Sequence, residues 1–109
     1  MAKKVLGQSN PSATTLTTLY TVPASNEAVV STLVACNRDS GTACTVRVAV
    51  RPAGAAISNE HYIYYGLEIP ASETFAATLG LTLEATDVVS VYTDNATMSF
   101  SLFGDESAV

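Results

Sequence analysis

The stretch CTVRVAVR, residues 44–51, carries the clearest strand pattern in the chain. Its apolar positions recur at every second residue, namely Cys44, Val46, Val48 and Val50. Successive side chains of a β-strand point to opposite faces, so this period of two is typical of a half-buried strand. Arg47 and Arg51 belong to the opposite set. The stretch therefore predicts a sheet that packs one face on a hydrophobic core.

Runs of the same kind follow one another along the chain and are separated by turn residues. The predicted strands are 14–22, 28–36, 44–51, 61–69, 73–79, 88–93 and 97–103, with a turn within 80–87. A helix competes only over residues 71–79, where threonines weaken it. Short strands with turn signals at intervals of about 8–12 residues predict an all-β fold, a single antiparallel β-sandwich or jelly roll of about seven to eight strands.

Three segments are predicted for the chain. Residues 1–13 are basic and show no apolar period, so we expect an extended N-terminal arm. Residues 14–104 are expected to form the β-sandwich domain. Residues 105–109 are expected to form an acidic C-terminal tail.

Composition narrows the class of protein. Hydrophobic residues make up 48% of the 109 residues, which excludes a wholly disordered chain. Charged residues make up 14%, against about 25% in an average domain, which suggests that another molecule covers part of the surface. A net charge of −5 with five basic residues argues against a nucleic-acid partner. No apolar run is long enough to cross a bilayer and no secretory signal is visible, so we expect no membrane partner and synthesis in the cytoplasm.

The two cysteines are Cys36 and Cys44. A hairpin that turns at residues 37–43 would place them opposite each other on one face, and we expect this arrangement. Two interpretations remain open, a pair of buried thiols and a cross-strand disulfide. A metal site would need more ligands than two thiolates, and His61 is the only histidine.

Few residues suggest catalysis. His61 is the only candidate for a general base near neutral pH, and the chain has no G-x-S-x-G motif. Glu84, Asp87 and Asp94 lie near turns but lack the spacing of a calcium-binding loop. We therefore predict a protein with no enzymatic activity, no cofactor and no metal.

Three tyrosines crowd into the stretch HYIYYG. Alternation along this strand places Tyr65 with Ile63 and Leu67 on the more apolar face, so we expect Tyr65 in the core and Tyr62 and Tyr64 on the outer face. If the strand neighbours CTVRVAVR, Arg47 and Arg51 share that outer face. Tyrosine and arginine are enriched at interface hot spots, so these outward residues are predicted to contact another chain. The alternative is a set of surface aromatic residues that stabilise cross-strand pairs.

Four pieces of the sequence resemble small virion proteins of tailed bacteriophages: LYTVP (19–23), RVAVRPAG (47–54), HYIYYG (61–66) and DVVSVY (87–92). The resemblance extends over about residues 15–104. Proteins of this kind are similar to β-sandwich decoration, or cement, proteins, which often form trimers on the outside of a capsid. The resemblance implies a virion structural protein that binds assembled capsid subunits and stabilises the capsid.

On this resemblance the expected partners are further copies of the chain, in a homotrimer, and the major capsid protein. The expected location is the capsid exterior, after synthesis in the host cytoplasm. A basic arm would reach along a neighbouring subunit, so the predicted capsid contacts are Lys3, Lys4, Val5 and Leu6. Two alternatives stay open. One is a tail, neck or fibre component of the phage particle, and the other is a carbohydrate-binding β-sandwich, which the lack of tryptophan weakens.

Overall fold

The computed structural model describes residues 2–109 and consists of β-strands joined by turns. The strands are β1 (Ala2–Ser9), β2 (Thr17–Thr21), β3 (Asn26–Asn37), β4 (Cys44–Arg51), β5 (Tyr62–Ile69), β6 (Thr74–Leu83), β7 (Val88–Thr93) and β8 (Met98–Ala108). Two short 3-10 turns, Pro52–Gly54 and Asn59–His61, lie in the connection between β4 and β5. Residues 2–109 contain no helix that is long and apolar enough to span a membrane.

The strands form two antiparallel four-stranded sheets that pack face to face. The first sheet has the order β1-β8-β3-β6, and the second has the order β2-β7-β4-β5. Because β1 pairs with β8, β2 with β7, β3 with β6 and β4 with β5, the chain is one long hairpin that has been rolled up. The connection between β4 and β5 is the tip of that hairpin. This is the arrangement of an eight-stranded jelly roll, and the predicted all-β sandwich is confirmed.

The core lies between the sheets and is built from alternate residues of the strands. On β4, Cys44, Val46 and Val48 are buried, as the period of two predicts. The largest fully buried side chains are Phe100, Leu33, Ile69, Met98 and Leu102. Burial of a large apolar side chain contributes about 1.5–3 kcal/mol, so these alternating residues supply most of the driving force for folding.

The predicted N-terminal arm is wrong for residues 2–9, which form the edge strand β1 of the first sheet. Leu6 is only 9% exposed and belongs to the core. A bulge between Val5 and Gly7 breaks the pairing with β8, so no apolar period of two is visible in this segment. Residue 1 lies outside the described residues.

The predicted acidic tail, residues 105–109, also belongs to the sheet as far as Ala108, because β8 continues to that residue. Glu106 accepts hydrogen bonds from Lys4 Nζ and from Tyr20 Oη, both at 2.7 Å. These two donors lower the pKa of Glu106, while burial and the adjacent carboxylate raise the pKa of Tyr20. Since Lys4 lies on β1 and Tyr20 on β2, this carboxylate links strands of both sheets.

The predicted hairpin between the strands that carry Cys36 and Cys44 does not form. β3 and β4 lie in different sheets, so the connection between them crosses the sandwich. Cys44 is buried in the core, whereas Cys36 is half-buried on the outer face of the first sheet, opposite Thr74 of β6. Both are free thiols. The expectation that they face each other is wrong, because a jelly roll pairs strands that are distant in sequence.

Two glycines stand where main chains pass closely. A Cβ on Gly7 would overlap the carbonyl oxygen of Leu19, so β1 and β2 are in main-chain contact and close the sandwich on that side. A Cβ on Gly104 would overlap the carbonyl oxygen of Val29 and lie 3.0 Å from the Cα of Val30. At both positions the space admits only a residue without a side chain.

Candidate functional site

The outer face of the second sheet carries a row of large side chains on neighbouring strands. In the antiparallel register, Arg47 of β4 lies opposite Tyr92 of β7 on one side and opposite Tyr65 of β5 on the other. The residues before and after Arg47 point into the core, so alternation directs Arg47 outward. Tyr62 of β5 joins the row beside Tyr65. We call Arg47, Tyr62, Tyr65 and Tyr92 the tyrosine–arginine cluster.

Aromatic rings enclose the guanidinium group of Arg47 on two sides. Its Cζ lies 4.3 Å from the ring centroid of Tyr65 and 4.4 Å from that of Tyr92. Tyr62 packs edge to face on Tyr65, with ring centroids 4.9 Å apart and an interplanar angle of 81°. Exposed cation–π contacts contribute about 0.5–1 kcal/mol each, and edge-to-face pairs about 0.5–1.5 kcal/mol. The cluster is therefore ordered before any partner binds.

The cluster is accessible to a partner. Tyr65 is 65% exposed, and the other three members are half-buried. Within residues 2–109 no carboxylate lies at ion-pair distance from Arg47, so an acid of the same chain does not neutralise its charge. The cluster thus presents flat aromatic surface together with one positive charge.

The connection between β4 and β5 is fixed beside the cluster by two side chains. Arg51 donates hydrogen bonds to the hydroxyl of Ser90 at 3.2 Å and to the carbonyl oxygen of Ala55 at 3.0 Å. Asp87 accepts a hydrogen bond from the backbone N–H of Ala53 at 2.9 Å. Arg51, a predicted interface residue, therefore lies next to the cluster but uses its donors within the chain.

His61 closes the last turn of this connection. Its Nδ1 accepts a hydrogen bond from the backbone N–H of Ser58 at 3.1 Å, and its own backbone N–H donates to the carbonyl oxygen of Ser58 at 3.0 Å. The Ser58 hydroxyl donates to Glu60 at 2.7 Å, which lowers the pKa of that carboxylate. The turn leads directly into Tyr62. Together with Asn59, Tyr62 and Tyr65 line an open depression of about 490 Å³.

Two bulges in β5 change the predicted orientation of two tyrosines. The pairing of β5 with β4 skips first Gly66 and then Ile63, so β5 has an extra residue at each position. Each extra residue shifts the alternation by one, which turns Tyr65 outward and Tyr64 inward between the bulges. The predictions that Tyr64 faces outward and that Tyr65 lies in the core are therefore wrong. Tyr62 faces outward, as predicted.

Tyr64 closes the gap between the two sheets at the β5–β6 side. Its ring packs edge to face on Phe75 of β6, with centroids 5.4 Å apart. Gly66 has a φ of 77°, in the left-handed region that favours glycine. A glycine inside a strand pattern is the sequence signal of a bulge, and this signal would have corrected the orientation of both tyrosines.

The four residues predicted to contact a capsid through an arm lie on β1, far from the cluster. Lys3 is exposed and Val5 is 48% exposed. Lys4 is paired with Glu106, and Leu6 is in the core. The structure therefore does not bring these residues together with the cluster, and it leaves Lys3, Lys4 and Val5 exposed, with Lys4 bonded to Glu106.

Two of the three acids considered for calcium binding, Asp87 and Asp94, accept hydrogen bonds from backbone N–H groups. The two carboxylate oxygens of Asp87 accept backbone N–H groups of Ala53 and Glu84, each at 2.9 Å. Asp94 accepts the backbone N–H of Thr45 at 2.9 Å. In the described part of the chain, no three His, Cys, Asp or Glu side chains are grouped so that they could hold a metal ion.

Tyr92 is the member of the cluster that sequence reasoning missed. It lies between the buried residues Val91 and Thr93, so alternation along β7 indicates its outward direction. Its position beside Arg47 depends on the pairing of β4 with β7, which no local pattern in the sequence shows.

The cluster is a partly exposed group of aromatic rings around one guanidinium on the outer face of the second sheet. Arg47 with two or three tyrosine rings is suited to bind a flat surface that carries an acidic or carbonyl group. Comparison of the chain with protein-family models, with curated proteins and with solved structures finds no match.

Proposed function

We propose that this protein is a structural component of a tailed-bacteriophage virion, which decorates the capsid and stabilises it by binding assembled capsid subunits. The observation that carries the proposal is the guanidinium of the half-buried Arg47 between the rings of Tyr65 and Tyr92, on the outer face of the second sheet. Tyrosine and arginine residues of this kind dominate the energy of protein interfaces. A catalytic role has no part in the proposal.

Preorganisation supports the role of the cluster in binding. Ordering a flexible side chain at an interface costs about 0.5–1.5 kcal/mol. The rings of Tyr62 and Tyr65 already support each other, and Arg47 is held on both sides. Little side-chain entropy is therefore left to lose when a partner covers this face.

The mechanism is mass action. A protein that binds only the assembled shell stabilises the shell by about 2.7 kcal/mol per site when its free concentration is a hundred times the dissociation constant. A homotrimer that bridges several capsid subunits would add avidity to each contact. We propose that this trimer forms through the outward face of β5, and that the major capsid protein is the further partner.

The fold is compatible with this role. Eight-stranded jelly rolls occur both in viral capsid proteins and in lectins, and one fold supports many functions. The low content of charged residues, 14%, agrees with a surface that other chains cover.

The first experiment measures copy number. Phage particles produced from the genome that encodes this chain are purified on a density gradient and analysed by quantitative mass spectrometry. A molar ratio of the same order as that of the major capsid protein is expected. A ratio close to that of tail proteins supports a tail, neck or fibre component instead, and absence from the particle refutes the proposal.

The second experiment tests the cluster. Because the cluster is the proposed trimer contact, Tyr62→Ala combined with Tyr65→Ala, at about 2 kcal/mol per anchor, is expected to dissociate the trimer and to remove the avidity of its capsid binding, a factor of about 10²–10⁴. Binding of the purified variant to undecorated capsids is measured by co-sedimentation. Val29→Ala is the matched control, because Val29 is 38% exposed on the outer face of the other sheet. Equal binding by the double variant and the control contradicts the role of the cluster.

Glycan binding is the second candidate function, since the depression lined by Asn59, Tyr62 and Tyr65 combines aromatic surface with an amide. Aromatic faces and polar groups at one site are typical of small-ligand recognition. Titration with polysaccharide from the host surface, followed by calorimetry, tests it. Saturable binding that Asn59→Ala abolishes supports this function, and absence of heat excludes it for that polysaccharide.

A further inference from the structure

We infer that two copies of this chain pair through the free edge of β6, so that their first sheets join into one continuous sheet. β6 is the last strand of the order β1-β8-β3-β6 and pairs with β3 on one side only. The other side of β6 presents unpaired backbone N–H and C=O groups. This inference does not depend on the proposed function.

The four edge strands differ in their protection against such pairing. β1 carries two lysines, β2 has only five residues, and β5 has two bulges and Glu68. These are the features by which natural proteins block edge-to-edge association. β6 has ten residues, of which none is charged and none is proline. A bulge at residues 79–80 interrupts it, which leaves Thr74–Thr78 as a regular and unprotected edge.

The core is incompletely covered on the same side of the sandwich. Several core side chains next to β6 are only half-buried, namely Tyr64, Leu67, Phe75, Leu79 and Leu81. On the opposite side, the corresponding residues are at most 9% exposed, namely Leu6, Leu19 and Tyr20. A second copy placed against β6 would cover the half-buried group, so the apolar surface and the free edge favour the same contact.

The outer face of the first sheet is uncharged next to this edge. Three rows of side chains cross β6, β3 and β8 without a charge: Thr74, Cys36 and Ser99; Ala76, Val34 and Ser101; Thr78, Thr32 and Phe103. The nearest charges along β6 are Glu73 and Glu84, just outside its ends. In a chain of net charge −5, this is a region where two copies can meet without bringing carboxylates together.

A two-fold axis through Ala76 gives a self-complementary register. In that antiparallel pairing Thr74 faces Thr78, and Phe75 faces the small Ala77. Cross-strand threonine pairs stabilise sheets, and the large side chain meets a small one. The two copies of Glu73 are then six residues apart along the strand direction, about 20 Å at 3.3 Å per residue, well beyond the Debye length of about 8–10 Å. The closed symmetry leaves no further β6 edge from which a filament would grow.

The test is the mass in solution, measured by light scattering at high protein concentration. Ala76 is exposed, so Ala76→Lys is tolerated by the single chain, but it brings two lysines together on the axis. We expect Ala76→Lys to halve the mass. The change is from dimer to monomer if β6 is the only self-contact, and from hexamer to trimer if the tyrosine–arginine cluster also joins three copies. Gln8→Lys, exposed on β1 at the other edge of the same sheet, is the control and should keep the wild-type mass.

A second measurement fixes the register. Residues that face each other in an antiparallel pair have Cα atoms about 4.5–5.5 Å apart, within the range of a disulfide. In a Cys36→Ser background, Ala76→Cys is expected to form a covalent dimer on mild oxidation, whereas Thr82→Cys, beyond the bulge, stays monomeric on a non-reducing gel. A wild type that is monomeric or trimeric overturns the inference, and so does an Ala76→Lys variant of unchanged mass. Neither result bears on capsid binding, which the particle experiments measure separately.

Discussion

The same substitution is expected to have opposite effects at two glycines of the sheet. At Gly104 a Cβ would overlap the carbonyl oxygen of Val29 and crowd the Cα of Val30. Both are main-chain atoms, so no side chain can rotate away, and the overpacking costs about 1–3 kcal/mol. At Gly80 a Cβ meets nothing within 4 Å, and the φ angle is outside the left-handed region. Gly80→Ala should therefore gain about 0.4–1 kcal/mol, because alanine restricts the unfolded chain.

For a cost in the middle of that range, about 2 kcal/mol, subtraction of the same unfolded-state gain leaves Gly104→Ala destabilising by about 1–2 kcal/mol. At about 4 °C per kcal/mol for a domain of this size, its Tm falls by roughly 4–8 °C, whereas that of Gly80→Ala rises by roughly 2–4 °C. Urea unfolding followed by circular dichroism gives the two free energies. All variants are compared at one protein concentration, since self-association makes the midpoint concentration-dependent. Shifts of the same sign in both variants would refute the close approach of β8 to β3 at Gly104.

Three further outcomes follow from the fold. Leu6→Ala is expected to lose about 2–3 kcal/mol of unfolding free energy, whereas Val5→Ala, at an exposed position, changes it by less than about 0.5 kcal/mol. Equal urea midpoints for the two variants would show that this segment is an arm and not a strand of the sheet. The pKa of Glu106 is lowered from its ordinary value of 4.5, so its carboxylate stabilises the fold above that pH, and the contribution is lost as the pH falls through the lower, folded-state pKa. Glu106→Gln should accordingly be less stable than the wild type at neutral pH, and its urea midpoint should change less with pH below pH 4.5. Parallel plots of urea midpoint against pH for the two proteins would contradict this. Thiol titration should modify Cys36 in the native protein and Cys44 only after unfolding, and mass spectrometry after oxidation should find no bond between them within one chain.

The fold class was predictable because strand alternation is a local property. Val46 and Val48 on β4 are buried as their spacing predicts, and so are Met98, Phe100 and Leu102 on β8. The class of sandwich then follows from the number of short strands and the turns between them. None of these inferences requires the order of the strands in the sheets.

Strand pairing was not predictable, because it is set by contacts between distant parts of the chain. The hairpin expected around Cys36 and Cys44 is the simplest local pairing, but β3 pairs with β6 and β8 instead. The same limit explains the N-terminal segment. Leu6 stands next to the apolar Val5, so the sequence shows no alternation there, and the burial of Leu6 rather than Val5 depends on the contact of β1 with β8 and β2.

The candidate site was predicted in part. Arg47 and Tyr62 face outward as predicted. For Arg47 this holds because the extra residues of both bulges lie on β5, so the alternation of β4 around Arg47 is kept. Tyr64 and Tyr65 exchange faces because one-residue bulges invert the alternation between them. Tyr92 belongs to the cluster only because β4 pairs with β7, and the sequence alone does not reveal this pairing.

The nested pairing of the strands has a consequence for synthesis of the protein. β1 is paired with β8, with Lys3 opposite Asp105, and β2 is paired with β7. The first strands to leave the ribosome therefore have no partner until the second half of the chain has been synthesised. Only β4 and β5, at the tip, can pair early. Folding must therefore wait for the last strand, and all-β folds with such distant contacts form in milliseconds to seconds. A translation product that stops before β8 lacks an interior strand of the first sheet, so it cannot close the core, and only chains that include β8 reach the folded state.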